Sequence, residues 1–280
     1  SALLRIDDVT EQVRIEELMV HSEKMISVGR LSAGMAHEIN NPLAGIMQNT
    51  QVLENRLGES LPKNRTVAES LGMDFDLFQS YLRERGIDKM VSAIRDSGHR
   101  AATIVTNMLS FSRKSSSQFL DYDIKEVLNQ TVEMARNEYD LKKNFDFRSI
   151  KIVTDYEDKL PLVSCDASQL QQVFLNILKN GAQAMYSKSE IQPKFVLRVF
   201  RKEEHMIVEI EDNGQGMTEE VRKHVFEPFF STKEVGKGTG LGLSVSYYIV
   251  TETHGGKMYA KSSPEIGSTF RIELPIKRGE

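Results

Sequence analysis

"QVFLNILKNGAQAM", residues 172 to 185, reads as a helix with two unlike faces. Val173, Phe174, Ile177 and Leu178 anchor one side at helical spacing, while Asn176 and Asn180, four residues apart, project together from another. An apolar face of this kind needs a second layer, and the flanking sequence offers one. "KIVTDYE" (151–157), "FVLRVFR" (195–201), "HMIVEIE" (205–211), "KMYAKS" (257–262) and "STFRIEL" (268–274) are β-rich runs. Helices are predicted over 123–143, 167–187 and 241–254. Strands and helices segregated in this way predict an α+β two-layer sandwich.

Three more stretches of this half carry chemistry. An amide oxygen is a hard, neutral ligand that suits Mg²⁺, so the asparagine pair reads either as a metal face or as a solvated helix surface. In "VEIEDNGQGM" (208–217) a strand delivers Asp212 into a turn with Gly214 and Gly216. A carboxylate there can accept from an exocyclic amine such as that of adenine, and the glycines let backbone approach a flat ring; the plain alternative is a tight turn. "VFEPFFSTK" (225–233) holds Phe226, Phe229 and Phe230, too apolar for a free loop, and predicts the anchor of a mobile flap. "GKGTGLGLSVSYYIV" (236–250) sets Gly236, Gly238, Gly240 and Gly242 before an apolar helix, where free backbone N–H groups make an anion site. Its spacing matches neither the common P-loop nor a dinucleotide fingerprint.

Taken in order, these four stretches resemble the N, first glycine, F and second glycine boxes of the histidine kinase ATP-binding domain. That fold is shared with gyrase, a heat-shock chaperone and mismatch-repair ATPases. The resemblance spans about Asp121 to Glu280 and ends in "GSTFRIELP" (267–275). It implies that Asn180 is the Mg²⁺ ligand, that Asp212 reads adenine, and that Gly238, Gly240 and Gly242 wrap the phosphates, with Asn176, Gly214, Gly216, Thr239 and Leu241 beside them. One departure is visible: many relatives have a basic residue three after the second asparagine, where this chain has Gln183, so Lys179 or Lys233 would supply charge to the phosphates instead.

The first half follows a different plan. Ile15, Leu18, Met25, Leu31, Met35 and Ile39 keep near-helical spacing and predict one long helix from about Thr10 into the fifties. From Asp88 to Arg113, Met90, Ile94, Ala101, Ile104, Val105, Met108 and Leu109 predict a second. Two such helices form an antiparallel hairpin whose remaining apolar surface invites dimerisation into a four-helix bundle. The connection from about 58 to 86 is long, since such links commonly run to ~8 residues. Within it "DFDLFQSYLRER" (74–85) puts Phe75, Phe78, Tyr81 and Leu82 on one helical face, predicting a short helix that caps the tip. "SRKSSSQ" (112–118) is a linker.

"GRLSAGMAHEINNPLAGIMQ" (29–48) resembles the phosphoacceptor box of histidine kinases, with His37, Glu38 and Asn41 in the matching positions. A neutral imidazole, with a reference pKa of ~6.5, is a competent nucleophile near neutral pH. Glu38 can hold its Nδ1 proton and leave Nε2 facing a γ-phosphate. Ala33 and Gly34 leave that face open, and Pro42 removes one helical hydrogen bond, which makes a hinge. The resemblance implies that Asn41, one turn beyond His37, orients water toward a phospho-aspartate; the plain alternative is a solvated helix face just before Pro42. The opening "RIDDVTEQ" resembles the exit of a PAS sensor domain, with Asp8 and Thr10 in the matching positions.

The expected organisation is a sensor-domain remnant at 1–10, a helical signalling linker at 11–28, a dimerisation and phosphotransfer hairpin at 29–118 with its insertion at about 58–86, and an ATP-binding domain at 119–280. The expected activity is autophosphorylation of a histidine from Mg·ATP, followed by transfer to an aspartate of a response-regulator receiver, with phosphatase activity toward that regulator. The rival readings are an ATPase or serine kinase of the same nucleotide fold and an ATP-binding dimeric scaffold. Composition narrows the partners. A net charge of −4 with interspersed signs leaves no basic field for nucleic acid. No run reaches the ~18 to 20 apolar residues of a membrane helix, and Cys165 is the one cysteine. A cytoplasmic location is expected, with any membrane anchor elsewhere, and Cys165 reads as a small buried apolar residue.

Overall fold

The computed structural model describes residues 38–110, 119–137, 147–186, 192–233 and 238–277. His37, Ala33, Gly34, the sensor-domain remnant, the signalling linker and the linker at 112–118 lie outside the described residues. The chain divides into two compact units, residues 26–113 and the chain from Lys114 onward.

In the first unit helix α1 (38–57) runs through Pro42 without interruption. Helix α4 (Ile87–Ser110) returns along it. The two approach closely at Gly98, where an added Cβ would lie 2.9 Å from Met47 Cγ. Arg95 Nη1 donates to both carboxylate oxygens of Glu54 at 2.7 Å, which fixes the register between the helices. Ile39, Ile46, Leu53, Met90 and Ile94 remain exposed within the unit, so each long helix keeps apolar surface to offer.

The tip holds two helices where the pattern predicts one. Helix α3 (Phe75–Glu84) is the expected one, capped by Asp74 Oδ1, which accepts from Asp76 N at 2.9 Å and Leu77 N at 3.1 Å. Its buried face is Phe75, Gln79 and Leu82, whereas Tyr81 turns outward. Gln79 takes that place because its Nε2 donates to Leu57 O at 2.6 Å, one of the unpaired carbonyls that end α1. Helix α2 (Pro62–Ser70) was hidden by its composition, since "PKNRTVAES" buries Ala68 alone; its one signal is a proline at the first helical position. Asn64 Nδ2 donates to Asn55 O at 2.7 Å and Gly58 O at 2.8 Å, so α2 caps the same helix end.

The second unit is the predicted α+β sandwich. Strands β2 (Lys151–Tyr156), β4 (Lys194–Lys202), β5 (His205–Asp212), β6 (Lys257–Ser263) and β7 (Gly267–Pro275) form one sheet in the order β2-β4-β5-β7-β6. β2 is parallel to β4, and the other neighbours are antiparallel. Helices α5 (Ile124–Asn137), α6 (Ala167–Tyr186) and α8 (Gly242–Tyr248) form the second layer, with α6 central between the other two and packed on β5. Leu128, Leu170, Phe174, Leu178, Phe195, Leu197 and Ile210 fill the core between the layers. Alternate residues turn to the open face of the sheet, where Arg198 meets Glu211 at 2.7 Å and Arg271 meets Glu209 at 3.2 Å across neighbouring strands. Half-buried along the sheet, these pairs cover its open face with polar groups.

Strands β1 (Leu120–Tyr122) and β3 (Val163–Cys165) pair in a small antiparallel sheet of their own. At three residues each they are too short to show alternation. Cys165 is fully buried, and that burial pushes its thiol up to about 12, consistent with an inert apolar role.

Candidate functional site

Helix α6 organises the site. Its start is capped by Asp166 Oδ1, which accepts from Ser168 N at 3.1 Å, Ser168 Oγ at 2.7 Å and Gln169 N at 3.2 Å. Near its other end Gly181 lets the helix sink onto the sheet. A Cβ there would meet the Phe195 ring at 2.6 Å and Asp212 Cβ at 3.2 Å, so this contact brings the last residue of β5 against the helix that carries the amides.

Asp212 is only 5% exposed. Its Oδ1 accepts from Gly214 N at 2.9 Å, and the Ser268 backbone N–H donates to the same carboxylate. Burial pushes its carboxyl up to about 6, and the two N–H donors hold it from rising further. Gly216 follows with φ +69, and a side chain there would strike the Ser263 carbonyl. The result is a buried, partly paired carboxylate at a strand end, followed by glycines that let the turn pack against Ala184 and the Ser263 carbonyl.

The two amides of α6 do different things. Asn176 Nδ2 donates to Gly242 O at 3.1 Å and Ser246 Oγ at 3.2 Å, which pins the first turn of α8 to α6. Asn180 Oδ1 instead accepts from Lys233 Nζ at 3.3 Å, and the same ammonium lies 2.5 Å from Gln183 Oε1. Lys179 is half-buried on the same helix. Shared helix spacing thus brings Asn176 and Asn180 to one side without aiming them at one point.

The glycine turn leads into α8. Leu241 is fully buried, and its N–H donates to Thr239 Oγ1 at 3.3 Å. Gly240 has φ +66, and a Cβ there would collide with the Phe229 backbone, so the turn and the flap touch through a residue that no side chain can replace. At Gly238 a Cβ would lie 2.9 Å from Lys233 Cδ. Gly242 is less crowded, its nearest neighbour being Asn176 Cγ at 3.6 Å. Gly236 lies outside the described residues.

Within the expected flap, helix α7 (Glu219–His224) is capped by Thr218. Of the three phenylalanines, Phe226 is the anchor, 5.1 Å from the Tyr247 ring and edge-on to Phe270 at 6.4 Å. Phe230 rests on His224 at 5.7 Å. Phe229 has φ +64 and is 54% exposed, so it serves its backbone to Gly240 and turns its ring outward.

A further part of the frame has no motif in the sequence. His254, buried behind α8 in the π-helical turn region after Ile249–Thr253, has Nδ1 2.8 Å from Ile249 O, and its Nε2 accepts the Asp166 N–H at 3.1 Å. A carbonyl only accepts and an amide N–H only donates, so the ring carries its proton on Nδ1. Phe119 packs on it at 5.2 Å. In the helical unit, Glu38 and Asn41 stand exposed one turn apart at the start of the described α1.

The chain resembles known proteins in both units. Residues 27–74 match the family model of the His Kinase A (phospho-acceptor) domain, and residues 165–278 that of the histidine kinase-, DNA gyrase B- and HSP90-like ATPase. Sporulation kinase E of Bacillus subtilis (strain 168) is 30% identical over 271 residues, 97% of this chain and 32% of that protein. Sensor kinase CckA of Brucella abortus (strain 2308) is 31% identical over 286 residues, 98% of this chain and 27% of that protein. The chain therefore spans about a third of the length of these relatives. Full-length ShkA, crystallised with AMPPNP, shares the fold with a TM-score of 0.64 at 21% identity, over 90% of this chain and 46% of that one. Histidine kinase ThkA, in a complex with response regulator protein TrrA, does so with a TM-score of 0.55 at 23% identity, over 97% and 69%. A phospho-acceptor segment followed by a nucleotide fold with a buried strand-end aspartate and a pinned glycine turn leaves one assignment: the chain belongs to the histidine kinases, as their catalytic core.

Proposed function

We propose that this chain binds Mg·ATP in its second unit, accepts the γ-phosphoryl on an imidazole nitrogen of His37 with ADP as the leaving group, and passes it to an aspartate on the receiver domain of a response regulator. The observation that carries this reading is the meeting of Asp212, Asn180 and the glycine turn around one helix, in a chain that also holds a phospho-acceptor segment. The residues fit the ligand. Asp212 is an acceptor for an exocyclic amine, flanked by Gly214 and Gly216, and Asn180 Oδ1 already accepts from a cationic group. Among the described residues no three His, Cys, Asp or Glu side chains gather as a metal cluster. A divalent cation held there would have the Asn180 amide oxygen as a protein ligand and could draw others from phosphate and water, as magnesium commonly does. When bound, the cation neutralises phosphate charge; the protein's part is positioning, which suffices for phosphoryl transfer.

Glu38 is assigned the orientation of His37, and Asn41 the placing of water for hydrolysis of the phospho-regulator. The exposed apolar residues of α1 and α4 support a homodimer formed through the hairpin. No helix among the described residues is long and apolar enough to cross a membrane, and the cytoplasm is the compartment in which Mg·ATP is available to this core.

The deciding experiment is incubation with ATP labelled at the γ-phosphate, in wild type and His37→Gln. Acid-labile label on the wild type and none on the variant is the expected result. Acid-stable label would favour a serine kinase of the same nucleotide fold, and nucleotide binding without label would favour a scaffold.

A further inference from the structure

The turn that follows Asp212 is held by the hairpin between β6 and β7. Asp212, Ser268 and Ser262 stand opposite one another on β5, β7 and β6, so their side chains form one row on one face of the sheet. The Ser268 N–H donates to the Asp212 carboxylate. Next in the row, Ser262 Oγ accepts the Met217 N–H at 2.8 Å, donates to Gly267 O at 2.9 Å and lies 3.0 Å from Ser268 Oγ. A hydroxyl has one proton and two lone pairs, so with its proton committed to Gly267 O, Ser262 accepts from Ser268 as well as from Met217. All of its hydrogen-bonding capacity is used in joining the end of the turn to the hairpin. Backbone closes the rest of the seam. The Glu265 N–H donates to Gln215 O at 2.7 Å, a side chain on Gly216 would strike the Ser263 carbonyl, and one on Gly267, at φ +133, would strike the Asp212 carbonyl.

We propose that Ser262 is a positioning residue for the base end of the nucleotide site, whose hydroxyl clasps the turn after Asp212 to the β6–β7 hairpin and so fixes where the carboxylate stands. The proposal rests on the nucleotide reading above. Ser262 acts through Asp212. The two N–H groups that orient the carboxylate belong to the segments that Ser262 joins, Gly214 to the turn and Ser268 to the hairpin. An exocyclic amine needs that orientation, because hydrogen bonds weaken steeply once the angle at the hydrogen falls below ~120°. Alanine at 262 takes away the partner of the Met217 N–H and of the Gly267 carbonyl, so the side-chain link between turn and hairpin is lost while the sheet stays paired.

The test uses the full chain, with ATP and adenosine titrated calorimetrically in the presence of Mg²⁺, below the melting transition of each variant. Ser262→Ala should weaken ATP and adenosine by the same factor, about threefold to tenfold, because the defect lies at the base end. Ser262→Thr, which keeps the hydroxyl on a residue suited to a strand, should bind both within about twofold of wild type. In an Asp212→Asn background, Ser262→Ala should lower ATP affinity by less than about a further twofold, because its effect passes through the carboxylate. A serine with a purely structural role would lower the melting temperature of Ser262→Ala and leave its affinities unchanged, and that result overturns the proposal. So does a loss confined to ATP, which would place the effect at the phosphates. A threonine variant as weak as the alanine one overturns it too, as does a full additional loss in the Asp212→Asn background. If Ser262→Ala does not fold, Ser262→Cys replaces it, since a thiol keeps the shape with weaker hydrogen bonds and should show a smaller loss of the same pattern. A wild type that binds neither adenosine nor ATP removes the nucleotide reading and the proposal with it, whereas a wild type that binds both, with the position 262 variants unaltered, removes the proposal alone.

Discussion

Asp212→Asn separates what a carboxylate does for the fold from what it does for the ligand. Burial lifts the Asp212 carboxyl from an ordinary 3.8 to about 6. At 1.36 kcal/mol per pH unit, that rise means that keeping the group ionised at neutral pH costs the folded protein about 3 kcal/mol. Because the folded-state value lies above the unfolded one, the cost is absent below about pH 3.8 and grows as pH rises through about 6. An amide retains an oxygen for the Gly214 and Ser268 N–H groups and removes the charge. Its new N–H₂ group must find a partner, and failure to do so costs about 1–3 kcal/mol. The net expectation at pH 7.5 is a catalytic unit as stable as wild type or up to about 2 kcal/mol more stable, which for a domain of this size is up to about 8 °C in Tm. ATP affinity should fall about tenfold or more, since a hydrogen bond to a charged group contributes about 1.5–3 kcal/mol. Circular dichroism melts at several pH values suit a chain without tryptophan, and the transition that ATP shifts in wild type reports the catalytic unit. The stability difference between variant and wild type should open between about pH 4 and 6.5. A variant that is less stable by more than about 1 kcal/mol at pH 7.5, with wild-type ATP affinity, would show the carboxylate to be a structural acceptor and refute the reasoning.

Asn176→Ala should loosen α8 from α6 by removing donations to Gly242 O and Ser246 Oγ, lowering the catalytic unit's stability by about 1–3 kcal/mol and weakening adenosine and ATP alike, as thermal melts and calorimetry will record. Gly240→Ala should be worse than Gly238→Ala: the first sets a Cβ at φ +66 against the Phe229 backbone, the second against the stem of Lys233, which can move aside. ATP affinities in the reverse order would show that the turn is not held as described. Asn41→Ala should dephosphorylate the partner regulator slowly while autophosphorylating near the wild-type rate, timed separately with labelled ATP; equal loss of both activities would indicate a distorted helix near Pro42.

Much of the catalytic unit was legible because each of its patterns is local. The apolar series of α6, the alternation of β4, β5 and β7, and the glycines before α8 state their periods within a dozen residues. Other features depend on partners far along the chain. Helical spacing places Asn176 and Asn180 together, but Gly242 and Ser246, 66 and 70 residues away, decide that Asn176 clamps a helix. Three phenylalanines announce an anchor, and only the positive φ of Phe229 reveals that this one faces out. Helix α2 was invisible because it buries almost nothing of its own, and Gln79 displaced an aromatic from the predicted face because the last carbonyls of α1 needed a donor. His254 reads in sequence as filler, since its partner at Asp166 lies 88 residues earlier.

That histidine has a mechanical consequence. One imidazole ties the backbone at the head of α6 to the backbone at the tail of the segment that begins with the glycine turn, and Phe119, the first described residue after the linker, rests on its ring. The three behave as a yoke. Through the ring the two helical segments are fastened to each other at the ends remote from Asn180 and from Gly240. The spacing between the amide face and the glycine turn is thus held at two places, by Asn176 within the site and by one imidazole at the far end of the same two segments.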